Sequence, residues 1–410
     1  MRLFLILFFA FCFQMVSCRT IHVGKKQEIQ SIKQGIALAK NNDTLYVHPG
    51  IYKEGNIIID KSIVFLGIGY PILDGQKKFE VLSVKASNVM VQGFKLVNSG
   101  HAALDDPCAV KVYNQSNVQI INNKVLDNFF GIYIQNGNDC MVKGNVIVSN
   151  GTQEQLIGNG IHCWKSTNLK IIGNKIKGHR DGIYFEFVTN SVIWRNSSTH
   201  NVRYGLHFMF SNDDSYITNI FAHNGAGVAV MFTKNVKMFN NYFQENWGDS
   251  AYGLLLKEIS DSYIFNNKFS QNTSGIYMEG TTRVKVEKNV FEANGWGMKI
   301  QASCMDNEVT ANNFVKNTFD ISTNGSLVLN TFNSNYWDKY EGYDLNKDGI
   351  GDVPYHPLSL FAVLTENTPS AMLLYRSFMI TLLDKSEKVL PSITPDNFED
   401  KTPLMKIMPL

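Results

Sequence analysis

Charge is scarce in this sequence. Of 410 residues, 38 are Lys or Arg and 36 are Asp or Glu, so charged residues make up only 18% and the net charge is +2. No basic excess points to nucleic acid, and no acidic run suggests a solvated tail. So little charge also excludes a long solvated helical protein. Proline is rare as well, at 10 residues. Cysteine is sparse, at six, and no pair has metal-ligand spacing such as C-x-x-C. Beyond the N-terminus no apolar stretch reaches the roughly 20 residues that span a bilayer. What the chain has instead is asparagine, 43 residues or about a tenth of the whole. Asn tolerates the left-handed backbone and bonds to its own turn. With many β-branched residues, it predicts short strands cut by tight turns.

Residues 1–18 read as an export signal. Arg2 is followed by an apolar run from Leu3 to Phe13, then by Val16, Ser17 and Cys18. Met15-Val16-Ser17-Cys18 also resembles a lipobox, so a lipid anchor on Cys18 and simple cleavage after it are both expectations. Either way the mature chain is expected to be exported, and soluble or tethered to a membrane. Four cysteines remain there: Cys108, Cys140, Cys163 and Cys304. An oxidising compartment permits disulfides, and four cysteines allow three pairings.

The chain repeats itself. Gly followed by alternating apolar residues begins at Gly131, Gly160, Gly182, Gly205, Gly227, Gly253, Gly275 and Gly297. A second marker is Asn123, Asn145, Asn174, Asn196, Asn219, Asn241, Asn267, Asn289 and Asn313. Both series step mostly by 22 or 23 and share the same two longer steps, near residues 150–158 and 245–251. They are therefore one repeat with two local loops. A unit of about 22 residues made of short strands and Asn turns predicts an all-β fold, a right-handed parallel β-helix over 19–336. The first and third residues after each Gly are apolar and should point inward, and the Asn residues should form a ladder at one corner. Residues Glu28 to Lys40 suggest a helix capping the open first coil, with Ile29, Ile32, Ile36 and Ala39 inward.

The second and fourth residues after each Gly should then face out. They include His162, Trp164, Tyr184, Glu186, His207, Met209, Met231, Lys257 and Tyr277, with Phe187 and Phe210 extending the row. Imidazole and thioether are soft ligands that suit Cu(I), so His207, Met209 and Met231 are the candidate copper site. The remaining residues are a candidate binding face for a partner. The competing reading is that these side chains simply cover apolar surface.

From Trp337 onward the period is lost, and 337–410 reads as a tail. Asp344, Asn346, Asp348 and Asp352 sit at the spacing of an EF-hand loop and are candidate calcium ligands. The twelfth loop position is Tyr355 rather than Glu, so a hydrogen-bonded turn is the competing expectation. Ala371 to Leu383 reads as an apolar helix, too short to span a membrane, that caps the solenoid or docks on a partner.

Longer motifs carry a resemblance. They are His179-Arg180-Asp181-Gly182-Ile183-Tyr184-Phe185-Glu186-Phe187, Arg203-Tyr204-Gly205-Leu206-His207-Phe208-Met209-Phe210 and Gly225-Ala226-Gly227-Val228-Ala229-Val230-Met231. Tyr252-Gly253-Leu254-Leu255-Leu256-Lys257-Glu258, Asn335-Tyr336-Trp337-Asp338 and Gly351-Asp352-Val353-Pro354-Tyr355 follow in order. Together they resemble the NosD family, periplasmic maturation proteins of nitrous oxide reductase. The resemblance implies a non-enzymatic β-helix protein that works with an ABC transporter, the NosF ATPase and the NosY permease. It also implies a copper chaperone, NosL, and a role in assembling the copper–sulfide centre of the reductase. The resemblance places no copper ligand; the residues named above come from the outward row alone. Two other readings use the same fold: a carbohydrate-active enzyme such as a polysaccharide lyase or epimerase, and a surface adhesin. The lyase or epimerase needs an acidic cluster with a basic residue on one face. The row shows only isolated Glu186 and Glu279 with Lys257.

Overall fold

The computed structural model describes residues 18–102, 106–151, 154–249, 251–325, 329–389 and 398–409. The export signal expected at 1–18 thus lies outside the described residues, except for Cys18.

Three parallel sheets of 14, 12 and 13 strands run the length of the molecule, each coil giving one short strand to each sheet. This is the expected right-handed parallel β-helix, of about 13 turns. The 12-stranded sheet holds the Gly-led strands. Their register pairs Ile132 with Ile161, Ile161 with Ile183, Ile183 with Leu206, and onward through Val228, Leu254, Ile276 and Met298. All of these are fully buried, as are Ile134, Cys163, Phe185, Phe208, Val230, Leu256 and Met278 two residues on. The sequence pattern therefore sets both the pleat and the stacking. Between strands the chain turns through left-handed residues, of which Asn122, Asn136, Asn240 and Asn266 are examples (φ 49 to 57°).

The Asn ladder forms. Asn196 donates its backbone N–H to Asn219 Oδ1 (2.9 Å), and its own amide reaches Ile171 O on the preceding coil (2.8 Å). The last rung differs from the expectation. Asn312, not Asn313, accepts from Asn289 N, and Asn335 and then Asp400 continue the series. Asn313 instead bonds the main chain of Met408, on the segment that folds back over the final coil. A second amide ladder runs five residues later through Asn201, Asn224, Asn246, Asn272, Asn294 and Asn317. Inside, Phe221, Phe243, Phe269, Phe291, Phe314 and Trp337 stack at centroid distances of 4.2–5.6 Å.

Helix α1, Ile32–Leu38, caps the first coil and is shorter than expected. A bridge from Val23 to Ile29 holds the preceding residues at the sheet edge, and Asp43 accepts from Lys40 N (2.8 Å). Glu54 accepts from Ile32 N and Lys33 N at the helix start. Lys61 donates to the Ile36, Ala37 and Ala39 carbonyls at its end. Both ends therefore have partners for groups that a helix leaves unpaired.

At the far end α2, Leu360–Asn367, packs Phe361 against Phe319 (5.8 Å). The apolar segment expected as one helix is split. A 3₁₀ turn covers Pro369–Leu374, and α3 spans Phe378–Val389 after a break containing Arg376 at φ 63°. Leu373 and Phe378 are 89% and 83% exposed. Among the described residues no helix is long and apolar enough to cross a membrane. Cys108, Cys140, Cys163 and Cys304 are all buried and free, so none of the three pairings forms.

Candidate functional site

The outer row of the Gly-led sheet stacks from coil to coil as its spacing requires. Tyr133, His162, Tyr184 and His207 make a continuous series of ring contacts at 4.3, 4.8 and 5.0 Å. The expectation of an open soft surface needs correction here. His162 and His207 are only 8% and 7% exposed, and Tyr133, Ala229 and Leu255 are buried too. Each ring covers the next, so this row is closed over by its own aromatics. The open part lies further along the strands. Phe187, Phe210 and Phe232 are 44%, 40% and 41% exposed and stack nearly parallel at 5.2 and 5.1 Å. All three adopt positive φ (51–55°), a conformation disfavoured for a bulky residue.

Trp164, Glu186, Met209, Met231 and Lys257 occupy one register position on five successive coils. Met209 and Met231 are therefore direct neighbours, both half-buried, and stacked coils sit about 4.8 Å apart. His207 lies two residues before Met209 on the same face, with Ala229 beside it on the next coil. His162 is two coils away, beyond Tyr184. Lys257 pairs with Glu279 (3.0 Å), and Tyr277 packs at a tilt against Tyr252 (5.0 Å) rather than joining the Met pair.

The strongest cluster includes two residues that the outward-row reading missed. Asp181, fully buried in the turn before Gly182, is held by Arg203 from the next coil through two bonds, Nε to Oδ1 (3.1 Å) and Nη2 to Oδ2 (2.8 Å). The Asp181 Oδ2 atom also lies 3.5 Å from His207 Nδ1, and Arg203 Nη2 lies 3.3 Å from the same nitrogen. Burial pushes the Asp181 carboxyl up, but His207 and Arg203 outweigh it and hold it below the ordinary value. His207 Nε2 is buried and has no hydrogen-bond partner among the described residues. Tyr184 and Tyr204 flank the imidazole at 5.0 and 4.8 Å. Burial, aided by Glu186, pushes the Tyr184 hydroxyl up to about 12. His162 differs. Burial, aided by Arg180, pulls it down to about 3, so it is neutral at any physiological pH. The signal for the cluster was in the sequence: Asp181 and Arg203 are one repeat apart and each lies one or two residues before a repeat Gly.

The 344–352 loop lies beyond the last coil, bridged to the C-terminal segment at Leu404, and closes on itself. Asp344 accepts from Lys347, Asp348 and Gly349 N–H groups, Asp348 from Ile350 N, and Asp352 from Leu345 N. Asn346 turns its amide donor onto Asp348 (2.9 Å). This is the hydrogen-bonded turn, and nothing in it supports calcium. Among the described residues no three His, Cys, Asp or Glu side chains form a metal-binding group.

Residues 151–342 match the family model described as periplasmic copper-binding protein (NosD). The chain is 28% identical over 356 residues to the probable ABC transporter binding protein NosD of Stutzerimonas stutzeri, covering 82% of this chain and 81% of that protein. It is 30% identical over 114 residues to the protein of the same name from Pseudomonas aeruginosa, 27% of each chain. Among solved structures, the Dettilon tailspike protein aligns with a TM-score of 0.56 at 13% identity, over 69% of this chain and 64% of its own. PfbA, a surface adhesin of Streptococcus pneumoniae, aligns with a TM-score of 0.52 at 13% identity, over 72% and 88%. At such identities these two structures show the fold alone. The match over 151–342 takes in the coils that carry Asp181, Arg203, His207 and the Met pair, and the alignment to the Stutzerimonas protein extends over most of the chain, so over these coils the chain is similar to NosD proteins.

Proposed function

We propose that this protein is a non-enzymatic periplasmic accessory factor that works with an ABC transporter, delivering copper or sulfur for the copper–sulfide centre of nitrous oxide reductase. The observation that carries the reading is the family match, which spans the coils bearing the soft side chains. Copper is cargo here, and His207, Met209 and Met231 are its proposed handling residues. Their chemistry suits Cu(I): two neighbouring thioethers and an imidazole nitrogen with no other partner. The stacked Phe187, Phe210 and Phe232 edge beside them is the proposed docking face for a copper chaperone of the NosL kind. The exposed apolar residues of α3 and the preceding turn are the proposed contact with a NosY-type permease, itself driven by a NosF-type ATPase. The test is Cu(I) competition against a chromophoric chelator. Replacing His207, Met209 and Met231 together by Ala should weaken binding at least tenfold; unchanged affinity would remove the site.

A second reading is favoured by one observation. Asp181, Arg203, His207, Tyr184 and Tyr204 form the kind of acid–base cluster that a lyase or epimerase needs. Eliminative cleavage of a uronate polymer creates an unsaturated product with new ultraviolet absorbance. Its appearance with the purified protein would replace the delivery reading; the delivery reading expects none.

A further inference from the structure

The first two coils carry a histidine pair on the 14-stranded sheet, away from the Gly-led one. His22 lies in the strand Thr20–Val23, and His48 follows the strand Thr44–Val47 on the next coil. Parallel pairing sets His22 beside Tyr46, and the two rings stack at 5.3 Å, 13° from parallel. His48 is anchored at its backbone. Its N–H donates to Val23 O (2.8 Å), and its carbonyl accepts from the Tyr52 hydroxyl (2.8 Å). The two imidazoles meet, with His22 Nδ1 2.9 Å from His48 Nε2. The register that puts Val23 beside Val47 puts Gly24 beside His48. Gly24 keeps that place open, since a Cβ on it would stand 2.8 Å from His48 Cβ. Gln27 borders the same gap, its Cγ 3.5 Å from that point. His22 and Gln27 also line an open cavity of about 300 Å³, together with Glu28.

A neutral imidazole carries one proton. With it on the outward nitrogen of each ring, both facing lone pairs are free for a cation. Two nitrogens about 2.0–2.1 Å from one ion and 2.9 Å from each other subtend about 90°. A tetrahedral ion would hold them about 3.3–3.4 Å apart. The right angle belongs to tetragonal ions with N and O ligands, Cu(II) and Ni(II), and Cu(II) binds such sites tightest of the divalent first-row metals. A second pair, His200 and His223, has rings 4.9 Å apart. There His223 turns Nδ1 toward Glu245 (3.4 Å), and no hydrogen bond joins it to His200 among the described residues.

We propose that His22 and His48 form a two-imidazole site for a tetragonal divalent cation, Cu(II) above others, with Gln27 able to add its amide oxygen. The site is separate from the Cu(I) residues of the Gly-led sheet. It offers borderline nitrogen ligands in place of soft thioethers. It stands on the imidazole geometry, whether or not copper–sulfide assembly is the protein's role.

The experiment uses the full mature chain, without a histidine tag and stripped of metal, with Cu(II) sulfate as the only added metal. Titration against glycine as competitor gives the affinity. Electron paramagnetic resonance, read for nitrogen couplings, counts the imidazoles. The expected result is one Cu(II) per chain with a tetragonal spectrum and two imidazole nitrogens. His22→Ala and His48→Ala should each leave one imidazole and weaken binding about tenfold or more, because the second nitrogen of a preformed pair acts as an intramolecular ligand. His200→Ala should change neither reading. Spectrum and affinity unchanged in both His22→Ala and His48→Ala overturn the proposal, as does an intact protein whose Cu(II) has fewer than two imidazoles. If either variant does not fold, that count in the intact protein decides. Replacing Met209 and Met231 together by Ala keeps this site apart from the delivery reading: Cu(II) binding should survive, and its loss would overturn a separate site.

Discussion

Asp214 offers the sharpest quantitative check on how the solenoid is held together. It occupies a corner column in which Ser191 precedes it, and its Oδ1 accepts from Ser191 N (2.8 Å). Its Oδ2 is buried with no partner among the described residues. Burial, opposed by the Ser191 N–H and reinforced by the Asp213 carboxylate, pushes the Asp214 carboxyl from 3.8 up to about 8. The folded state therefore holds a proton that the unfolded state has released, and stability falls as pH rises from about 4 to about 8. One pKa unit corresponds to 1.36 kcal/mol, so between pH 4 and pH 7 this group costs about 4 kcal/mol. Another coil shows what an amide does in the equivalent place. Asn307 Oδ1 accepts from Val284 N, and its Nδ2 donates to Thr281 O. By the same geometry Asp214→Asn should reach the Val188 carbonyl, which already accepts from Asn212 N as Thr281 accepts from Met305 N. Urea unfolding of both proteins from pH 4 to pH 8 measures the effect. The Asn variant should gain on the parent by about 4 kcal/mol between pH 4 and pH 7. A stability difference that does not change with pH would refute the reasoning.

The other predictions use the same logic. Asn219→Ala removes the acceptor for both Asn196 N–H groups and should cost about 2–4 kcal/mol in urea unfolding. Phe269→Ala opens a cavity between Phe243 and Phe291 and should cost about 3–5 kcal/mol. Glu54→Ala strips two backbone donors of α1 of their acceptor; it should cost about 1–2 kcal/mol and speed amide exchange in the first coil more than in the middle ones. Replacing Phe187, Phe210 and Phe232 together by Ser should leave the unfolding midpoint nearly unchanged but weaken capture of the copper chaperone at least tenfold, measured by surface binding.

The repeat was legible because parallel stacking forces identical chemistry onto every coil. Gly131 to Gly297 and the Asn series state the register almost without structure. Two further ladders followed the same period and were readable in principle: the amides from Asn201 to Asn317, and the Phe column two residues after each rung from Asn219 onward. The last rung went astray because Asn312 and Asn313 are adjacent, and only backbone geometry says which one turns the corner. The outer row was placed on the correct face, but its exposure was not legible. Burial there depends on Tyr133, His162, Tyr184 and His207 leaning over one another, which no single strand records. The candidate site was legible as side chains and not as a network. Asp181 acts from a turn, and the pattern of alternation says nothing about turns. The tail was least legible, since α2 and the break at Arg376 follow contacts with the final coil rather than a period.

The central claim is that this protein serves assembly of a copper–sulfide centre. The direct measurement is to delete its gene in the host and isolate nitrous oxide reductase for copper analysis and optical spectroscopy. The account predicts reductase polypeptide that is present but lacks the copper–sulfide centre, restored by the intact gene. Reductase with a complete centre in the deletion strain would contradict it.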